Sequence, residues 1–146
     1  MSLSTNLLDA LSPKNRIFVA FSGGLDSTAL LFLCNKALKQ KKIRNLKAIH
    51  INHNLSKNSY NWQQHCESFC RSNNIKFESF MVEVSKNRSS IESQARQARY
   101  KIFESLLDEN DQILLAHHRD DVFETILLRL FRGTGVDGLS LSLIHI

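Results

Sequence analysis

Cysteine is scarce in this sequence: Cys34, Cys66 and Cys70 are the only three in 146 residues. An odd number without a secretory leader argues against a disulfide framework and for a reducing compartment, so the expected location is cytoplasmic. No apolar run approaches the roughly 20 residues that span a bilayer, and no membrane association is expected. Met1 to Arg16 mixes Ser, Asn, Asp and Lys among scattered leucines, unlike a targeting peptide. Cys-x-x-Cys and His-Glu-x-x-His are both missing, which removes the usual ligands of sulfur-transfer and zinc chemistry. The cysteines fit structural roles instead: Cys66 and Cys70 stand one helical turn apart, and Cys34 lies in an apolar stripe.

What is present points to one α/β domain. A chain that is 42% hydrophobic at this length can bury roughly two-thirds of its unfolded surface around one core. The net charge of +5 suits a polyanionic partner without identifying one. Arg16 to Phe21 is a nearly continuous apolar run, as in a strand buried on both faces. Helical spacing follows over about Asp26 to Gln40, with Lys36, Lys39, Lys41 and Lys42 near its negative pole. Strands are expected at Leu46 to Ile51, Lys76 to Val82 and Gln112 to Ala116. Helices are expected at about Asn58 to Asn73, Ile91 to Asp108 and from Asp120 onward. This alternation predicts a three-layer, Rossmann-like parallel sheet with helices on both faces, whose ligands bind beyond the carboxyl ends of the strands.

The chemical features follow strands. Ser22-Gly23-Gly24-Leu25-Asp26-Ser27 joins the first strand to the first helix, where free amides of the opening turn can bind an anion. Gly23 and Gly24 let the backbone approach a phosphate, and Ser22 and Ser27 add hydroxyl donors. The Lys-Ser/Thr ending of a Walker loop is absent, and Asp26 stands there instead. A carboxylate beside a polyphosphate is repelled unless a divalent cation lies between, so Asp26 predicts Mg²⁺ bound through phosphates. The plainer alternative is a Gly-Gly turn followed by a helix cap. Arg96 and Arg99 share a helix face at a spacing of three and suit either a phosphate clamp or a solvated face paired with Glu92. Asp120, Asp121 and Glu124 open the last expected helix. The spacing from 121 to 124 points two carboxylates the same way, which suits a bound ammonium group; acids there also complement a helix dipole.

The loop resembles the signature of the ATP pyrophosphatases. With His50-Ile51-Asn52-His53, Glu92 to Tyr100, His117-His118-Arg119-Asp120-Asp121 with Glu124, and Arg132 to Gly135 in that order, the chain resembles the tRNA(Ile)-lysidine synthetases over about residues 17–139. The resemblance implies a ligase that uses ATP to adenylate a cytidine C2 oxygen in tRNA(Ile) with a CAU anticodon, after which free L-lysine displaces AMP. It places His50, Ile51, Asn52 and His118 near the nucleotide and Asp121 and Glu124 at the lysine. Asp26, Arg96, Arg99 and Asp121 are the expected catalytic set. It also implies a lead-in over 1–15, a catalytic domain over 16–139, an atypical tail over 140–146, and no C-terminal tRNA-binding domains, so tRNA affinity is expected to be weak. Another adenylating tRNA-modifying enzyme of the thiolase type is an alternative. So is a non-catalytic nucleotide- or RNA-binding module using Lys36, Lys39, Lys41, Lys42, Arg44 and Lys47.

Overall fold

The computed structural model describes residues 3–85, 90–119, 122–129 and 143–145. In chain order these form α1 (Leu3–Ala10), β1 (Arg16–Ala20), α2 (Leu25–Lys39), β2 (Asn45–Asn52), α3 (Ser59–Ser72), β3 (Lys76–Met81), α4 (Ile91–Leu106), β4 (Gln112–Arg119), β5 (Val122–Arg129) and β6 (Leu143–His145). One sheet holds all the strands in the order β3-β2-β1-β4-β5-β6. β1 to β4 run parallel, and β5 and β6 continue the sheet antiparallel.

Side-chain alternation along β1 decides which helix covers which face. Ile17, Val19 and Phe21 point into a cluster with Leu30, Leu31 and Cys34 of α2 and Cys66 and Cys70 of α3. Phe18 joins Ile49, Ile113 and Leu115 in a second cluster, closed by Phe103 and Leu107 at the end of α4. The chain moves outward from β1 to β2 to β3 through α2 and α3, then returns across β1 to β4 through α4. A connection that reverses direction while keeping the right-handed crossover must lay its helix on the opposite face. The strand order therefore reverses between β1 and β4, and the crevice beyond their carboxyl ends is where such folds bind ligands.

Residues of the amino-terminal segment also belong to the core: Leu7 and Leu11 are buried in the first cluster. Gln112, buried at the start of β4, holds this segment by accepting a hydrogen bond from Ser12 N–H at 2.7 Å. It also donates one to the Ala10 carbonyl at 3.1 Å. Gln112→Leu keeps the volume but strands both backbone groups, and is expected to lower stability by about 2–4 kcal/mol, measured by urea unfolding.

One expected element is corrected. The segment after Asp120 is expected to be a helix, but Val122–Arg129 is a strand paired along its length with β4, from Arg119↔Val122 to Gln112↔Arg129. Val122, Phe123, Thr125 and Ile126 are β-branched or aromatic, types that fit a pleated surface. The helical argument that Asp121 and Glu124 face the same way therefore lapses. Glu124 stands opposite His117 in the ladder and His118 opposite Phe123. The side chains of these four, and all of Asp120, Asp121 and residues 132–135, lie outside the described residues. Leu143–His145, within the expected tail, pairs with β5.

Candidate nucleotide site

The loop after β1 is held from several sides. Phe21 N–H donates to the Ile49 carbonyl at 2.8 Å, continuing the β1–β2 ladder to the loop's edge. His50, buried, places Nδ1 2.9 Å from the Phe21 carbonyl. That acceptor needs a protonated Nδ1, so the His50 side chain ties the strands together and serves the site through position. Ser27 Oγ accepts from Ser22 N–H at 3.1 Å and lies 2.9 Å from Ser22 Oγ, closing the turn on itself. α2 starts at Leu25 with Gly24 as its extended N-cap and no side-chain cap. The amides of its first turn therefore have no intrahelical acceptor. Asp26 is the acidic residue of that turn.

Ala20 to Ser22, Ile49 to His53, Leu115 and Ala116 line a cleft of about 420 Å³, which places it at the point where the strand order reverses. This is within the usual range of small-molecule pockets. Ser27, Trp62, Arg99 and Phe103 complete its wall. Among the described residues, Arg99 Nε is buried without a hydrogen-bond partner, and so is Nδ1 of His53. Desolvation by burial lowers the pKa of both. For Arg99, Arg96 also lowers it while Tyr100 and Glu92 raise it. For His53, the neighbouring Arg99 and His50 add to the lowering. A guanidinium stays charged despite such a shift, so among the described residues Arg99 is a cation without a hydrogen-bonded anion, facing the same space as Ser22 and Ser27.

The structure thus gathers Ser22, Ser27, His50, Ile51, Asn52 and Arg99 around one cleft. Gly23, Gly24, Leu25 and Asp26 continue the loop at its rim, with Leu25 almost fully exposed. Arg96 parts company with Arg99: it is exposed and lies 5.4 Å over the Tyr100 ring. Asn52 uses its side chain locally, donating to Gln63 at 2.9 Å and accepting from Asn54 N–H at 2.8 Å. Lys36 and Lys39 lie in the last turn of α2, about 20 Å along the helix from the loop, so that basic run does not serve this cleft. Sequence reasoning missed Trp62, which touches the loop from α3. Its distance of 40 residues from Ser22 left no local signal. All three thiols are buried, which pushes Cys34 and Cys70 up to about 12 and Cys66 up to about 11, the last two being structural neighbours rather than reactive groups.

A glycine turn with free helix amides at the reversal of a doubly wound sheet marks a candidate nucleotide site in an α/β domain. The PP-loop domain family matches residues 2–142, and the chain belongs to it. Among its relatives, tRNA(Ile)-lysidine synthase from Legionella pneumophila (strain Lens) is 46% identical over 94% of this chain and 31% of its own length. The enzyme of that name from Pseudomonas syringae pv. tomato is 44% identical over 94% of this chain and 32% of its own. The chain spans about a third of the length of these curated relatives. Among solved structures, the U34-tRNA thiolase NcsA from Methanococcus maripaludis, with its [4Fe-4S] cluster, matches with a TM-score of 0.52 at 23% identity. The match covers 67% of this chain and 36% of that one, and it supports the fold alone. No helix among the described residues is long and apolar enough to cross a membrane.

Proposed function

We propose that this chain is the ATP-binding catalytic segment of a cytoplasmic tRNA(Ile)-lysidine synthase. This ligase joins free L-lysine to C2 of the wobble cytidine in tRNA(Ile) with a CAU anticodon. The observation that carries the ATP part is the meeting, in one cleft, of a serine-closed glycine turn and Arg99, a cation with no hydrogen-bond partner among the described residues. The substrates are supported by the 46% identity that extends along 94% of the chain.

In the first step the cytidine C2 oxygen attacks the α-phosphorus of ATP, the α–β anhydride bond breaks, and pyrophosphate departs. Amides of the loop and the opening turn of α2, with Arg99, hold the charge that grows on the leaving group. Arg96 is assigned a contact with phosphate or tRNA backbone from its exposed position on α4. In the second step the lysine amine attacks C2, the C2–O bond breaks, and AMP leaves with the oxygen. The amine must first lose a proton, since its reference pKa of about 10.4 keeps it charged near neutrality. Asp121 and Glu124 are the assigned lysine ligands, with His118 near the nucleotide; any of Asp120, Asp121 and Glu124 is chemically able to take the proton.

Among the described residues no three His, Cys, Asp or Glu side chains gather as metal ligands. A lone carboxylate at Asp26 beside a phosphate turn fits Mg²⁺ shared with the phosphates, the usual way this ion is held. When bound there it neutralises polyphosphate charge.

The test is pyrophosphate release from ATP with and without lysine and a CAU-anticodon tRNA(Ile). Sustained release is expected only when both are present. Release indifferent to lysine would point to another adenylating enzyme, and ATP binding without any release to a non-catalytic module.

A further inference from the structure

We infer that Trp62 is a positioning residue of the phosphate loop, setting the orientation of the Ser22–Gly23 peptide from α3; this rests on the assignment of ATP phosphates to that loop. Trp62 Nε1–H donates to the Ser22 carbonyl at 2.6 Å. A trans peptide is planar, so its carbonyl and the following N–H point in opposite directions. Drawing the Ser22 carbonyl toward the indole turns Gly23 N–H away from it, and among the described residues that N–H has no acceptor. The ring gives a second constraint. Carbons Cε2 and Cζ2 lie 3.1 Å from where a Gly23 Cβ would stand, and Cys66 Sγ, one turn further along α3, lies 2.7 Å from it. The indole and the thiol thus form a floor on which only glycine can rest. Trp62 is 47% exposed, and its ring stacks on His65 at a centroid distance of 5.1 Å. Trp62 also lines the cleft itself, so α3 both supports the turn and borders the space the ligand would fill.

Trp62→Phe keeps a ring on Gly23 and removes the N–H donor. Its expected effect is about a threefold to tenfold rise in the Kd of Mg-ATP, the range one net hydrogen bond supports, with adenosine binding unchanged because adenosine carries no phosphate. General damage to the fold would weaken both ligands alike and overturn the inference, as would unchanged ATP binding in the variant. Should the wild-type chain bind ATP no better than adenosine, the phosphate assignment itself fails, an outcome separate from the failure of Trp62. Because Trp62 is the only tryptophan, the wild-type protein gives a second readout that needs no variant. Its emission is expected to shift with inorganic pyrophosphate, which carries no base to meet the ring; a flat response to pyrophosphate contradicts the positioning role.

Discussion

Gly23→Ala is expected to abolish measurable ATP binding while leaving a folded but weakened protein. Gly23 sits at φ +85°, in the left-handed region where a Cβ costs roughly 1–2 kcal/mol. The added carbon would also stand 2.7 Å from Cys66 Sγ and 3.1 Å from the Trp62 ring, so the turn, α3 or both must move. Cys66 is fully buried and has little room to retreat, which makes the loop the part that shifts. Displacing amides that must meet phosphate oxygens within a few tenths of an ångström removes several charge-assisted hydrogen bonds together. Calorimetric titration should show at least about a hundredfold loss of affinity, and the melting temperature should fall by about 3–8 °C. Gly24→Ala is the control. Gly24 has φ −72° and ψ 170°, ordinary extended backbone, and its Cβ would meet only Ser22 Oγ at 3.4 Å. Its melting temperature should stay within about 2 °C of the parent, so any loss of ATP binding there reports phosphate approach and not folding.

The two glycines look alike in the sequence, and that shows where sequence reasoning stops. The alternation of strand and helix was legible because buried parallel strands write themselves as short apolar runs: Ile17 to Phe21 and Leu46 to Ile51 needed only their composition. The loop was legible because its chemistry is contiguous, six residues between a strand and a helix. Val122–Arg129 was misread because Asp120, Asp121 and Glu124 resemble acids complementing a helix dipole. A segment of eight residues with five large apolar side chains carries no periodicity strong enough to overrule that impression. What decides it is pairing with β4, a partner that local sequence does not announce. Trp62 and the separation of Arg99 from Arg96 were hidden for the same reason. Helical spacing put both arginines on one side of α4, but only the packing of Phe103 and Leu107 against β1 and β4 turns Arg99 inward.

Asp26→Asn should bind ATP more tightly than the parent without magnesium and less tightly with it, and Asp26→Ala should reduce pyrophosphate release at least about a hundredfold. The reasoning is electrostatic. Asp26 is in the first turn of α2, beside amides that favour an anion and the Ser22–Ser27 hydroxyl pair that closes the turn. A carboxylate in that position opposes a polyphosphate, and in chelator the neutral asparagine should therefore bind ATP more tightly than the parent. With magnesium present the order should invert, since the carboxylate then contributes a ligand that the amide replaces poorly. If Asp26 serves merely as a dipole complement, either substitution costs about 0.3–1 kcal/mol of stability and leaves the metal dependence of binding as it was. Parallel titrations with excess EDTA and with excess magnesium separate the two cases. A parent and an asparagine variant that respond identically to the metal would remove Asp26 from the phosphate site, while leaving the glycine turn and Arg99 in place as its anion-binding groups.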